Sequence, residues 1–120
     1  MADDCERLEP GRAAFNRGEY FLAHELWEEV WRELGDAEQR TFVQGLIQIA
    51  AGLHHLQKHR RRPAAGLLRK GLEKVSKRRE RSSGDLRIEL LVGQVERLLA
   101  ELAAPETEAT AVADLSQLKL

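Results

Sequence analysis

The sequence is short of several features that mark particular classes of protein. Cys5 is its only cysteine, so a disulfide-stabilised scaffold is excluded. No apolar run approaches the ~18 residues needed to cross a bilayer. The N-terminal Met-Ala-Asp-Asp also lacks the hydrophobic stretch of a signal peptide. We therefore expect a cytoplasmic protein with no membrane contact.

The composition is that of a globular chain. Of its 120 residues, 42% are hydrophobic and 32% are charged, and this length predicts one domain. We expect a single helical domain over residues 1–103. Residues 104–120 are rich in Glu, Thr and Ala and only weakly periodic, so we expect a flexible tail there.

Charge is distributed unevenly along the chain. Residues 1–57 carry 5 basic and 11 acidic residues, residues 58–81 carry 11 and 2, and residues 82–120 carry 3 and 7. A basic block of this kind can bind nucleic acid, acidic lipid or an acidic protein. The block has no interleaved aromatic residues for base stacking. The favoured interpretation is therefore a solvated helix face whose positive charge balances the protein's own acidic surface. Nucleic-acid association through residues 58–81 is the third choice of function.

Apolar residues recur with a helical period between the glycines and prolines, and no strand pattern is present. The class is therefore all-α, and the short connections favour a compact bundle of about five helices with antiparallel neighbours. The predicted helices cover residues 5–17, 19–34, 36–59 and 63–79, followed by a fifth that Ser83 or Asp85 caps and Pro105 ends.

Several residues make specific predictions about these helices. Pro10 is tolerated only if it lies in the first turn of its helix or if the helix begins there. Asp36, with Gln39 three places on, has the spacing of a capping box. Gly45 and Gly52 lie seven apart on one face of the third helix, so we expect a neighbouring helix to approach closely there.

The fifth helix carries a near-heptad apolar stripe. Such a stripe could pair two copies of the chain as a homodimer, or it could close the chain's own core. Its members are Ile88, Leu91, Val95, Leu98 and Leu102.

Polar and aromatic residues on the second and third helices form two stripes. The first stripe is His24, Glu28 and Trp31, at spacings i, i+4, i+7. The second is Gln44, Gln48 and His55, at spacings i, i+4, i+11. Each set therefore shares one helix face. In an antiparallel hairpin the two stripes can face each other. The predicted pocket contains His24, Trp27, Glu28, Trp31, Gln44, Gln48 and His55.

Three interpretations of this pocket stay open. Buried imidazole, carboxylate and amide groups must find partners, so the set can be a structural hydrogen-bond network. His24, Glu28 and His55 can instead bind a divalent metal such as zinc or iron. The third interpretation is a metal-free pocket for a small polar ligand or a peptide, with Trp27 and Trp31 as walls.

The favoured function at this level is a non-enzymatic binding or interaction module of unknown ligand. The alternative is a metal-dependent enzyme, of hydrolase type, that uses the same two histidines and Glu28 as ligands. His54 and His59 fall in a basic stretch, and we expect both to be solvated.

Two segments, Phe15 to Glu33 and Phe42 to Gln57, closely resemble the domain of unknown function 309 family. The resemblance covers about residues 8–80 and implies a compact helical bundle whose polar residues form a genuine cluster, without implying an activity. The chain departs from the family after His55, where the usual Gly-Asn turn is replaced by Lys58 to Pro63. The matching residues are Phe15, Asn16, Gly18, His24, Glu28, Trp31, Gln44 to Gln48, Ala50, Ala51 and His55.

Overall fold

The computed structural model describes the backbone of residues 4–81 and 86–103, and the side chains of residues 6–77 and 87–103. Five helices account for most of these residues: α1 (Asp4–Asn16), α2 (Tyr20–Glu33), α3 (Ala37–Gln57), α4 (Arg61–Arg81) and α5 (Leu86–Ala103). The all-α prediction is confirmed, and the two described ranges contain no strand. The predicted cap at Ser83 or Asp85 and the predicted tail over 104–120 lie outside the described residues.

Each helix packs against the helix that follows it in the chain. The contacts between neighbours join opposite ends, as in antiparallel pairs. Arg7 near the start of α1 donates to the carboxylate of Glu33 at the end of α2, at 2.7 Å. Arg61 at the start of α4 donates to the carbonyl of Leu102 near the end of α5, at 3.2 Å. In the described part of the chain, no helix is long and apolar enough to span a bilayer.

The apolar stripe of α5 faces the chain's own core. Four of its five predicted members, Ile88, Leu91, Val95 and Leu98, are buried, and Leu102 is partly buried against them. The stripe therefore supplies apolar area that this fold needs, rather than an open surface for a second copy.

Glycines set the spacing between α3 and α4. A Cβ at Gly45 would lie 2.9 Å from Val75, and one at Gly52 would lie 3.1 Å from the carbonyl oxygen of Ala64. On α4, a Cβ at Gly71 would lie 2.7 Å from the carbonyl oxygen of Gly45. The predicted close approach at Gly45 and Gly52 is confirmed. The helices pack backbone against backbone where no side chain would fit.

The prediction for Pro10 is wrong. Pro10 stands in the interior of α1, although a proline there removes one helical hydrogen bond and costs about 3 kcal/mol. The carbonyl that loses its partner belongs to Glu6, and both Glu6 and Pro10 are exposed, so water can satisfy it. The neighbouring Gly11 lies directly on the indole ring of Trp27, and this packing holds the helix together across the proline.

Both ends of α3 are fixed by local hydrogen bonds. Asp36 is the N-cap, and its carboxylate accepts from the backbone N–H of Gln39 at 2.9 Å, which confirms the predicted cap. At the other end, the backbone N–H of Arg60 donates to the carbonyl of His55 at 2.9 Å. His59, between them, has a left-handed backbone with φ of 62°.

This left-handed residue gives a stability prediction. Exchanging His59 for glycine should raise the free energy of unfolding by about 0.5–1 kcal/mol, because glycine adopts a positive φ without the Cβ penalty. Urea denaturation measures the change. Lys58→Gly is the matched control, because Lys58 has a φ of −97° and should lose about 0.5–1 kcal/mol instead. Equal shifts in the two variants would contradict this interpretation.

Candidate functional site

The candidate site is centred on two residues one turn apart on α2. His24 Nε2 lies 3.9 Å from Glu28 Oε2, and the two side chains are 24% and 35% exposed. Arg32 approaches Glu28 from the next turn, at 3.2 Å. An exposed pair of this kind adds less than about 1 kcal/mol, so the carboxylate of Glu28 remains available to a stronger partner.

Helical periodicity explains why these groups meet at the surface. Tyr20, Ala23 and Trp27 form the buried face of α2. His24 and Glu28 each follow a buried residue by one position, which places them 100° around the helix, at the border between core and solvent. Burial also raises the pKa of Tyr20 to about 12, so this phenol on the buried face of α2 stays neutral.

Aromatic and imidazole rings connect this stretch of α2 to the end of α3. Phe21 stacks on His24 with centroids 6.0 Å apart and planes inclined by 15°. The same ring lies 5.2 Å from the centroid of His54, and His54 lies 6.4 Å from His55. Phe21 is nevertheless 54% exposed. We call Phe21, His24, Glu28, His54 and His55 the imidazole surface.

His59 is exposed, as expected, whereas His54 is only partly exposed, with its ring against Phe21. Desolvation by burial is the main cause that lowers the pKa of His54, and the nearby charges of Lys58, His55, Arg60 and His24 lower it further. The neutral imidazole is therefore favoured, which is the form that binds metals.

The imidazole surface does not satisfy its own hydrogen-bonding groups. Nδ1 of His24 and Nδ1 of His55 are both buried, and neither has a hydrogen-bond partner in the described structure. Leaving a buried polar atom unpaired costs about 1–3 kcal/mol. A buried polar atom without a protein partner is typical of a place where a water molecule or an ion binds.

The remaining residues of the predicted pocket have other contacts. The indole N–H of Trp27 donates to the carbonyl of Leu8 on α1 at 3.1 Å. The indole N–H of Trp31 donates to the carbonyl of Arg40, whose guanidinium stands 4.0 Å above the ring.

The two predicted glutamines lie on α3, where both are partly buried. Gln48 accepts from Lys74 Nζ of α4 at 3.0 Å, so its amide is engaged between α3 and α4. The polar contacts of Gln48, Trp27 and Trp31 therefore go to residues other than His24 and Glu28.

Three potential metal ligands converge on α2. One ligand atom from each of His24, Glu25 and Glu28 can be chosen so that all lie within 4.8 Å of one another. His55 is not in this group, although the sequence placed it in the predicted ligand set with His24 and Glu28. Sequence reasoning missed Glu25 because it follows His24 directly, 100° away around the helix.

The fold and this cluster define a small all-helical protein with a group of titratable ligand atoms on one surface helix. A family model described as "Domain of unknown function (DUF309)" matches residues 8–67, which is half of the chain. The chain therefore belongs to that family. The match runs from α1 into α4 and includes every residue of the imidazole surface.

Two curated relatives are similar over part of the chain. An uncharacterized protein of Aquifex aeolicus is 30% identical over 72 residues, which cover 60% of this chain and 22% of the relative. The uncharacterized protein YpuF of Bacillus subtilis is 39% identical over 51 residues, which cover 42% and 28%. The chain thus matches less than a third of the length of either relative. No solved structure matches the chain.

Proposed function

We propose that this protein is a binding module whose ligand is a divalent transition-metal ion, held by His24 and Glu28 of the imidazole surface together with the adjacent Glu25. The observation that carries the proposal is the convergence of one imidazole and two carboxylates within 4.8 Å. Imidazole and carboxylate together suit zinc and similar ions.

The distances are close to those that a zinc ion needs. Zinc lies about 2.0–2.2 Å from nitrogen and oxygen ligands, so two ligands of a tetrahedral ion are about 3.3 Å apart. The pair His24 Nε2 and Glu28 Oε2, at 3.9 Å, needs only a small movement to reach that separation. Glu25 is exposed, so its carboxylate can rotate inward at little cost.

The surroundings support the same ligand class. Phe21 covers one face of the His24 ring, which limits the orientations of the imidazole. His54 supplies a second imidazole on this surface, and the burial that lowers its pKa keeps it neutral. Arg32 is the one described cation paired with Glu28, and a metal ion can displace an exposed pair of this kind.

A purely structural role for the cluster is less well supported. A network that ties α2 to α3 requires side-chain hydrogen bonds across the two helices. Trp31 and Arg40 join α2 to α3 by hydrogen bonds, but outside the imidazole surface. Within the rest of the predicted pocket, Gln48 accepts from Lys74 on α4, and Glu28 pairs with Arg32 on its own helix. Among the described residues, Nδ1 of His24 and Nδ1 of His55 also have no protein partner.

Isothermal titration calorimetry of the untagged chain with zinc at pH 7.5 tests the proposal. We expect saturable binding of one zinc ion per chain. His24→Gln and Glu28→Gln should each weaken the affinity at least about tenfold, because each removes a ligand. Cobalt added in place of zinc should give the visible absorption of a nitrogen- and oxygen-ligated ion.

The matched control is His59→Asn, which removes an exposed imidazole outside the imidazole surface and keeps a residue type that tolerates a positive φ. Its zinc affinity should equal that of the unmodified chain. Circular dichroism of each variant separates loss of binding from loss of fold. Absence of saturable zinc binding, or equal affinity in Glu28→Gln and the unmodified chain, would refute the proposal.

A further inference from the structure

A second surface of the molecule carries a concentrated positive charge. Six exposed basic side chains lie on α4 and on the loop before it, and we call this set the basic face: Lys58, Arg60, Arg62, Arg69, Lys70 and Lys77. Among the described side chains, none of the six forms an ion pair or a hydrogen bond. Their charges are therefore presented to solvent.

The arginines elsewhere in the fold behave differently. Those on α1, on α2 and between them pair with carboxylates at 2.7 to 3.2 Å, although all these groups are at least partly exposed. The exposure of the six cations agrees with the expected solvated face, and none of them pairs directly with a carboxylate among the described side chains. The pairs are Arg7 with Glu33, Arg12 with Glu9, Arg17 with Glu19 and Arg32 with Glu28.

The basic face is a straight row of charge. Arg62, Arg69 and Lys77 are spaced by seven and eight residues, so they share one side of α4. At 1.5 Å per residue the row from Arg62 to Lys77 is about 22 Å long. Glu73 is the one acidic residue within it. The first turn of α4 also lacks an acidic residue, although the helix dipole favours negative charge there, so helix stability does not explain this placement.

The basic face lacks exposed apolar and aromatic side chains, and this restricts the classes of ligand that it can bind. The large hydrophobic residues exposed in the described structure are Phe21, Leu22 and Leu90, and none of them lies on α4. Membrane-surface helices insert apolar side chains below the headgroups, and this face has none to insert. It also offers no aromatic ring on which the bases of a single strand could stack.

We infer that the basic face binds a nucleic-acid duplex through its phosphate backbone, without reading the bases. A duplex presents about one negative charge per 1.7 Å of axis, so a row of about 22 Å faces many phosphates at once. Three of the six cations are arginines, whose guanidinium groups can make paired hydrogen bonds to phosphate oxygens.

Fluorescence anisotropy with labelled 20-base-pair duplexes of DNA and RNA tests the inference on the full chain. Between 50 and 200 mM salt, the logarithm of affinity should fall linearly with the logarithm of salt, by about 0.9 for each phosphate neutralised. The triple variant Arg62→Gln, Arg69→Gln, Lys70→Gln should bind at least about tenfold more weakly and show a shallower slope.

A second triple variant, Arg7→Gln, Arg12→Gln, Arg17→Gln, removes the same net charge from arginines that are already paired. It should bind duplex within about twofold of the unmodified chain, because those guanidiniums do not face the ligand. Equal losses in the two triple variants would overturn the inference. So would absence of binding at 50 mM salt, equal affinity for a single strand, or tighter binding to phosphatidylglycerol vesicles than to duplex.

Discussion

Replacing Trp27 by alanine should lower the free energy of unfolding by about 3–5 kcal/mol. Trp27 is the largest fully buried side chain, with none of its surface exposed. Its indole lies against Gly11 of α1 and within 5.7 Å of the ring of Phe15. Truncation would leave a cavity between α1 and α2 and an unpaired carbonyl at Leu8, to which the indole N–H donates.

Urea denaturation of the variant and the unmodified chain measures this loss. Trp27→Phe keeps a ring in the cavity but cannot donate to Leu8, so it should lose an intermediate amount and stay measurable if the alanine variant does not fold. The control is Leu90→Ala, since Leu90 is 62% exposed and should change stability by less than about 0.5 kcal/mol. A loss below about 1 kcal/mol in Trp27→Ala would contradict the packing described for α1.

Among glycine-to-alanine substitutions on α4, Gly71→Ala should cause the largest loss in the free energy of unfolding. Alanine favours a helix by about 1 kcal/mol over glycine, yet its Cβ would lie 2.7 Å from the carbonyl oxygen of Gly45 and 2.7 Å from Ile49. The carbonyl belongs to the backbone of α3, so the two helices must separate. We expect a net loss of about 1–3 kcal/mol in the free energy of unfolding.

Gly66→Ala is the matched control for this prediction. Gly66 lies in the interior of the same helix, and a Cβ there would meet nothing within 4 Å. The helix propensity of alanine should therefore be gained in full, which stabilises the protein by up to about 1 kcal/mol. Changes of the same sign in thermal unfolding of the two variants would show that the contact between α3 and α4 is looser than described.

The sequence was sufficient to predict the helices, because local signals specify them. Asp36 and Gln39 carry the cap of α3 in their own spacing, and Gly45 and Gly52 mark the approach of α4 by their seven-residue separation. Pro10 shows where local rules fail. Its cost is offset by the packing of Gly11 against Trp27, a contact between helices that local propensity does not contain.

The candidate site was harder to predict from the sequence than the fold was. Helical spacing indicated that His24 and Glu28 share a face, and the structure shows their side chains 3.9 Å apart. The spacing could not specify which neighbour each helix face meets, so the contact of Gln48 with Lys74 on α4 was unforeseen. Phe21 was the available signal that was missed, since it precedes His24 by three residues.

Crystals of the full chain grown with zinc, and diffraction data collected at the zinc absorption edge, test the proposed function most directly. An anomalous peak is expected about 2.0–2.2 Å from the imidazole of His24 and from the carboxylate of Glu28, with Glu25 turned toward it. Density confined to exposed histidines such as His59, with the space between His24 and Glu28 lacking a peak, would contradict the proposal.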